Sequence, residues 1–248
     1  MANTYFQFKQ FIIHQDRCAM KVTTDSCLFG AWVGEKVRPS ASYGSKPEVL
    51  NVLDIGTGTG LLSLMIAQQS CSTIDAIEID KEAYDQAIEN IEASPWADRI
   101  NIIHGDANKF SDSTQYDVII SNPPFYEKEL KSGNNKKNKA NHDEGLLLED
   151  LVNIIQRKLK PGGEFYLLLP CKRKDEIQNA FSKNKLAFSN KTLVKQSTQH
   201  PYFRIMISGK HQRDKNENFT CTELAIKNEL NEYTPEFISL LKDYYLYL

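Results

Sequence analysis

From residue 49 onward the apolar residues alternate between short continuous runs and a helical period. VLNVLDI, TIDAIEI, INIIH, DVIIS and EFYLLL are the continuous runs, rich in Val, Ile and Leu and suited to strands covered on both faces. Between them the spacing lengthens, which predicts helices from Leu61 to about Gln69, from Lys81 to about Ala93, and over 148–159. The Pro161-Gly162-Gly163 turn is expected to close the last of these. Strands alternating with helices at this spacing imply βαβ units, and so an α/β fold with a mostly parallel sheet and helices on both faces. Three later runs, LAFSNKTLVKQS, YFRIMISGK and FTCTELAIK, have short connections, which predicts an antiparallel strand at the sheet edge. The chain closes on TPEFISLLKDYYLYL. Thr234 can cap a helix there, Pro235 suits its first position, and Phe237, Leu240, Leu241, Tyr244 and Leu248 fall on one face.

Two segments leave this pattern. RPSASYGSKP, residues 38–47, reads as a surface loop before the sheet begins. Residues 127–145, EKELKSGNNKKNKANHDEG, hold five lysines and almost no apolar side chain, so they cannot pack a core and are expected to form a mobile basic loop. The expected organisation is a single domain over 1–248, with an N-terminal segment and loop in 1–47 and an α/β core in 48–248.

Composition narrows the class. Hydrophobic content of 41% and charged content of 25% are those of an ordinary globular chain, and no stretch has the roughly 18–20 apolar residues that span a bilayer. The N-terminus lacks the apolar core of a signal peptide, so the expected location is cytoplasmic. Cys18, Cys27, Cys71, Cys171 and Cys221 are scattered without C-x-x-C spacing and are expected to be reduced, largely buried thiols. His14, His104, His142 and His200 show no metal-ligand spacing, and no metal is expected. A net charge of −2 disfavours a protein that coats nucleic acid, while leaving room for a local basic patch.

The run DVIIS ends abruptly at Asn122-Pro123-Pro124-Phe125. Two successive prolines cannot donate to a sheet ladder, so the strand must stop and leave a polar amide held by rigid residues at its carboxyl end. A plain strand stop with an Asn-capped turn would account for this; so would a grip on a planar amino group. Upstream, Asp54-Ile55-Gly56-Thr57-Gly58-Thr59-Gly60 leaves a strand and opens a helix. Three alternate glycines permit a sharp turn and close approach of a ligand, although a tight turn alone would also use them. An acid two residues before the first glycine would repel a pyrophosphate and suit an amino-bearing ligand. Glu78 ends the second strand, where a carboxylate can accept both hydroxyls of a ribose, and Asp106-Ala107 follows the third, where an acid can meet an adenine amine.

DIGTGTG, Glu78, the GDA at Asp106 and the NPPF at Asn122 together resemble, in order and spacing, the motifs of class I S-adenosylmethionine-dependent methyltransferases that act on exocyclic amino nitrogens. FQFKQFIIHQDRCAMKVTTDSCLFGAW, IEASPWADRINIIHGD and the terminal YLYL are similar to a bacterial tRNA (adenine-N6)-methyltransferase family that modifies the adenine 3′ of the anticodon of a valine tRNA. The resemblance spans nearly the whole chain. It implies a Rossmann-like class I methyltransferase fold with an N-terminal lid segment, S-adenosyl-L-methionine as cofactor and a tRNA anticodon loop as partner. It further implies that Asp54, Gly56, Gly58, Gly60, Glu78, Asp106, Ala107, Thr24 and Asn122 bind the cofactor, with Thr23, Thr24 and Asp25 over its methionine end. A simple helix cap at Thr24 or Asp25 is compatible with that role.

For catalysis the resemblance points to Asn122, Pro123 and Phe125. The Asn122 amide oxygen and the Pro123 carbonyl can accept the two hydrogens of an amine and aim its lone pair, while Phe125 stacks on the base. Lys128, Lys131, Lys136, Lys137 and Lys139 are expected to meet RNA phosphates; solubilising a loop is their other reading. The same clamp suits any planar amino group, which leaves a glutamine amide of a translation release factor, guanine N2 or DNA adenine as rival acceptors. A non-catalytic nucleic-acid-binding module on the same scaffold is the rival outside enzymes.

Overall fold

In the computed structural model, which describes residues 3–39, 48–110, 113–123, 146–212 and 219–248, the chain opens with a small antiparallel hairpin. Its strands are β1 (Tyr5–Gln7) and β2 (Ile12–His14), and α1 (Thr24–Val37) follows. The cap of α1 is Thr23, not Thr24 or Asp25. The Thr23 side chain accepts from the Ser26 N–H while the Ser26 hydroxyl accepts from the Thr23 N–H, so a reciprocal capping box satisfies both amides.

The five apolar runs then form β3 (Asn51–Ile55), β4 (Thr73–Glu78), β5 (Ile100–His104), β6 (Tyr116–Ser121) and β7 (Leu159–Pro170). They are linked by α2 (Leu61–Gln69), α3 (Lys81–Glu92) and α4 (Leu148–Lys158), and followed by α5 (Lys174–Lys183), β8 (Leu186–Ser197), β9 (Tyr202–His211), β10 (Thr220–Lys227) and α6 (Pro235–Leu241). The sheet order is β10-β8-β9-β7-β6-β3-β4-β5. Every neighbouring pair is parallel except those made by β9, which runs against both β7 and β8. The reversed strand expected at the edge therefore lies two places in, because β10 adds on beyond β8 in the parallel sense.

Adjacent residues of the central strands face opposite sides, as the pleat requires. Val118 and Ile120 join Tyr166, Leu168 and Met206 in a core covered by α1, α2 and α6; Ile119 joins Phe165, Leu167 and Ile207 in a second core under α4 and α5. This two-sided burial is why the strands read as unbroken apolar runs. The Pro161-Gly162-Gly163 turn falls inside β7, where the pairing with β6 jumps from Leu159 to Glu164 and Gly162 takes a φ of +91°.

The terminal helix is shorter than its pattern. It ends at Leu241; Phe237, Leu241, Tyr244 and Tyr245 are buried, but Leu248 is exposed. Tyr244 and Tyr245 pack beyond the helix end, where the Lys9 N–H donates to the Tyr244 carbonyl and Phe8 bridges to Tyr245, so the N-terminal hairpin is pinned to the C-terminal tail. The cysteines correct the sequence reading. Only Cys18 and Cys27 are buried, Cys171 is half-buried, and Cys71 and Cys221 are exposed, because the latter two lie at an exposed turn and on the outer strand β10, away from either core.

Gly209 sits near the end of β9, where a Cβ would lie 2.2 Å from the Ala187 carbonyl oxygen and 2.4 Å from Cζ of Phe165. Neither the sheet backbone nor the Phe165 ring, fully buried against Phe181, can yield cheaply. We expect Gly209→Ala to destabilise the protein by about 3 kcal/mol, the upper end for overpacking. Urea denaturation checks this; an unchanged midpoint would show that the sheet gives way at this point.

Candidate active site

The chain runs from β3 outward through β4 to β5 and then returns to the other side of β3 as β6, so the strand order reverses between β3 and β6. In open α/β sheets a crevice forms outside the carboxyl ends at such a reversal, because the flanking connections leave in opposite directions. Here the register aligns the candidate residues. Ile55 pairs with both Ile77 and Ser121, and Glu78 pairs with His104. Gly56, Glu78 and Asn122 therefore leave the sheet at one level on three neighbouring strands, with Asn122 beside the first glycine of the loop. The Ser121 hydroxyl donates to the Ile55 carbonyl at 2.7 Å and ties the two strand ends together.

The glycine loop has the shape its sequence implies. Gly56, Gly58 and Gly60 take φ of +72°, +57° and +81°, in the left-handed region that side chains rarely adopt. Cβ atoms at Gly56 and Gly58 would meet nothing within 4 Å, so the loop borders open space there. Its backbone is fixed from outside. The Gly56 and Thr57 N–H groups donate to the Ile77 carbonyl, and the Gly58 N–H donates to Oε2 of Glu78 at 2.8 Å. Oε1 of Glu78 accepts from the Ile79 and Asp80 N–H groups, both at 2.9 Å. The buried Glu78 carboxylate is thus held by three backbone donors, and Oε2 keeps lone-pair capacity for a further partner.

Asp54 lies beneath the loop, wholly buried. Its Oδ2 accepts from the Thr57 and Ser63 hydroxyls, both at 2.7 Å, while Oδ1 is buried with no donor. Desolvation pushes the carboxyl up to about 6, against the opposing pull of the Thr57 and Ser63 hydrogen bonds; the Glu78 charge adds to the rise. Asp106, half-buried after β5, caps a short 3-10 turn by accepting from the Asn108 N–H, and Ala107 follows it. Asn122 is half-buried and Pro123 buried. Thr24 is exposed on the first turn of α1, and Asp25 beside it accepts from Nε of Arg204 at 2.7 Å, which joins α1 to the start of β9. Phe125, Lys128, Lys131, Lys136, Lys137 and Lys139 lie outside the described residues.

Sequence reasoning missed three residues that shape the site. Thr57 and Ser63 hold Asp54 and read only as loop and helix residues. Asn90 is the third. Fully buried on α3, it accepts from the His14 N–H, donates to the His14 carbonyl, and donates to the Thr59 carbonyl at 2.9 Å. It ties the N-terminal hairpin to the glycine loop. Gln86, one helical turn earlier, accepts from the Arg17 N–H on the same face. A buried polar pair at i, i+4 on an otherwise amphipathic helix was the signal available.

Comparison with known proteins adds the following. The family model described as "Methyltransferase small domain" matches residues 45–200. A protein of Phocaeicola vulgatus named tRNA1(Val) (adenine(37)-N6)-methyltransferase is 37% identical over 246 residues, covering 99% of both chains. One of the same name from Christiangramia forsetii is 39% identical over 254 residues and covers all of both chains. Among solved structures, a predicted O-methyltransferase of Agrobacterium tumefaciens superposes with a TM-score of 0.64 at 15% identity, over 88% of this chain and 95% of its own. A methyltransferase of Pyrococcus furiosus gives 0.54 at 22% identity, over 75% and 83%. At these identities the structures show the shared fold alone.

The buried Asp54 yields a pH-dependent prediction. Its folded-state value lies above the ordinary carboxylate value near 4, so folding takes up a proton between about pH 4 and 6. Its contribution to stability is complete below the unfolded value and is lost as pH rises through about 6. Asp54→Asn, which cannot ionise, should therefore gain stability relative to the wild type across that window, by on the order of 3 kcal/mol. Urea denaturation of both proteins from pH 4.5 to 7.5 measures the difference, and a flat difference would remove the buried-charge account.

Proposed function

The chain belongs to the methyltransferase small-domain family, and from that premise we propose that it transfers a methyl group from S-adenosyl-L-methionine to the exocyclic N6 of adenine 37 in tRNA1(Val). The observation that carries this reading is the placement of Asn122 and Pro123 at the carboxyl end of β6, level with Gly56 and Glu78 on the neighbouring strands. Full-length relatives of the same name support the choice of acceptor over a release-factor glutamine, guanine N2 or DNA adenine.

The residues present fit the cofactor. Open space over Gly56 and Gly58 leaves room for a ligand to approach the backbone, and the unpartnered Oδ1 of Asp54 is an acceptor beneath the same loop. In this reading Gly56, Gly58 and Gly60 line the approach, Asp54 faces the amino-acid end, and Glu78 accepts ribose hydroxyls. Asp106 and Ala107 border the adenine, and Thr24 covers the methionine end from α1. When bound, S-adenosylmethionine supplies an electrophilic methyl on a sulfonium.

What the protein contributes is orientation and polarisation. The Asn122 amide oxygen and the Pro123 carbonyl accept the two amine hydrogens, which withdraws the nitrogen lone pair from the purine ring and directs it toward the cofactor side of the crevice. An amide has no useful basicity, so Asn122 fixes geometry and polarises the amine, and the surplus N6 proton passes to solvent once the nitrogen–methyl bond has replaced the sulfur–methyl bond. Pro123 contributes rigidity; its φ is set by its ring, and its burial holds the carbonyl direction. The target adenine must leave its loop stack to enter, as bases generally do when chemistry occurs on their edge.

The direct test is nucleoside mass spectrometry of unmodified tRNA incubated with the protein and S-adenosylmethionine. N6-methyladenosine at position 37 is the expected product, and its absence with all tRNA would overturn the assignment. Asn122→Ala should keep the fold while slowing single-turnover methyl transfer at saturating S-adenosylmethionine by roughly 10²–10³. A wild-type rate in that variant would sink the mechanism. Glu78→Ala should weaken cofactor binding by about 1.5–3 kcal/mol in calorimetry, since a charge-assisted hydrogen bond and the tether of Gly58 are lost together.

A further inference from the structure

The glycine loop is gripped twice by one strand–helix unit. Glu78, at the end of β4, accepts from the Gly58 N–H at 2.8 Å. The chain then turns into α3, which Asp80 caps by accepting from the Ala83 N–H. Further along that helix Asn90 donates through Nδ2 to the Thr59 carbonyl at 2.9 Å. Consecutive loop residues are thus held from one side of the sheet, Gly58 by its N–H and Thr59 by its carbonyl.

Thr59 lies between two glycines with positive φ, Gly58 at +57° and Gly60 at +81°. Glycines on both sides let the adjoining peptide planes turn with little steric resistance. The Thr59 carbonyl and the Gly60 N–H belong to one planar peptide group, so fixing the first aims the second. The Gly60 N–H donates to the Thr57 carbonyl at 3.0 Å, which closes the loop on itself. Helix α3 packs directly on this turn. A Cβ at Gly60 would lie 3.3 Å from Cδ1 of Ile91 and 3.8 Å from Cβ of Ala87, and Ala87, Asn90 and Ile91 are all buried.

Asn90 engages its oxygen and both its amide hydrogens. Oδ1 accepts from the His14 N–H at 2.8 Å, while Nδ2 donates to the His14 and Thr59 carbonyls, both at 2.9 Å. An Ala would leave three backbone groups of two different segments without this partner at a buried position. Gln86, one turn earlier and equally buried, makes a different contact. It accepts from the Arg17 N–H, and so holds the N-terminal segment without a bond to the glycine loop among the described residues. The two amides therefore separate attachment of that segment from support of the loop.

We propose that Asn90 is a positioning residue for the cofactor, holding the Thr59–Gly60 peptide in the orientation that S-adenosyl-L-methionine meets and tying that orientation to the seated N-terminal hairpin. The inference rests on the cofactor reading above. Asn90 acts through the loop backbone. A loop already fixed in its binding shape has little entropy left to lose when the ligand arrives, whereas a released loop must first be ordered, which weakens binding. The effect falls on cofactor affinity and not on the reacting atoms, so it vanishes from the transfer rate once cofactor is saturating.

The test compares full-length Asn90→Ala, Asn90→Asp and Gln86→Met with the wild type by calorimetry with S-adenosylmethionine, thermal melting, and single-turnover transfer to unmodified tRNA. Asn90→Ala should raise the Kd for S-adenosylmethionine roughly tenfold, with the single-turnover rate at saturating cofactor within about twofold of wild type. Asn90→Asp keeps the side-chain volume and the acceptor for the His14 N–H, but when ionised has no donor for Thr59. It should raise Kd as much, and it carries the test where Asn90→Ala fails to fold. Gln86→Met should lower the melting temperature and leave Kd at the wild-type value, the pattern of a buried amide that serves stability alone. A wild-type Kd in a folded Asn90 variant would overturn the proposal with the cofactor reading intact. A Kd for Gln86→Met raised as far as that of the Asn90 variants would also overturn it, since loosening of the N-terminal segment would then explain both. Failure of the wild-type protein to bind S-adenosylmethionine would overturn the cofactor reading, and the positioning role with it.

Discussion

The site depends on one carboxylate. Glu78 leaves β4 with both oxygens turned to backbone N–H groups, two from its own strand exit and one from Gly58 on the adjacent loop. A loop of three glycines has little conformational preference of its own, and residues with positive φ lose much entropy on being fixed. The Glu78 hydrogen bond, together with the two amide bonds to the Ile77 carbonyl, selects one loop shape out of many. Charge-assisted bonds of this kind are about twice as strong as neutral ones, and the carboxylate that accepts them is buried, so it cannot be exchanged for a neutral side chain at equal cost.

A second constraint acts from below. Asp54 is buried without a cation, at the expense of desolvation, and two hydroxyls only partly offset it. Such a residue weakens the fold at neutral pH, and packing offers no reason for it: an apolar residue would fill the same space more cheaply. In the proposed reading, the lone acceptor oxygen under the glycine loop gains its partner when a ligand with an amino group arrives. The cost to stability and the binding capacity are the same physical fact.

The N-terminal hairpin is integrated through polar contacts at its inner side and aromatic contacts at its outer side. Asn90 supplies a side-chain amide that His14 pairs with as though it were another strand, and its remaining hydrogen reaches Thr59. Phe8 stacks on Phe11 and packs against Tyr245, so both chain ends share one core. One buried amide thus bonds both the hairpin and the glycine loop. Asp25 and Arg204 make a comparable link between α1 and the start of β9. The crevice is framed by contacts between residues as much as 179 positions apart in the chain.

Periodicity alone marked out every strand of the large sheet and the helices between its central strands, because burial on both faces writes itself as unbroken Val, Ile and Leu runs. That the glycines, Asp54, Glu78, Asp106 and Asn122 lie at or near the carboxyl ends of β3, β4, β5 and β6 was legible for a similar reason: glycine, proline and charge interrupt an apolar run and leave a local mark. What periodicity could not give was long-range. Whether a strand lies at the edge or two places in depends on pairing, which is why the antiparallel strand expected at the edge proved to be β9, two places in. Burial of the cysteines depends on which core, if any, covers them, and Leu248 fell on the right face of a helix that stops seven residues earlier. Asn90, Thr57 and Ser63 gained their roles only when strand order brought α3, the loop and β2 together, since a hydrogen bond is set by three-dimensional distance and leaves no period in the chain. The alternation of apolar residues determined the layers; tertiary pairing decided which polar atoms meet at their edge.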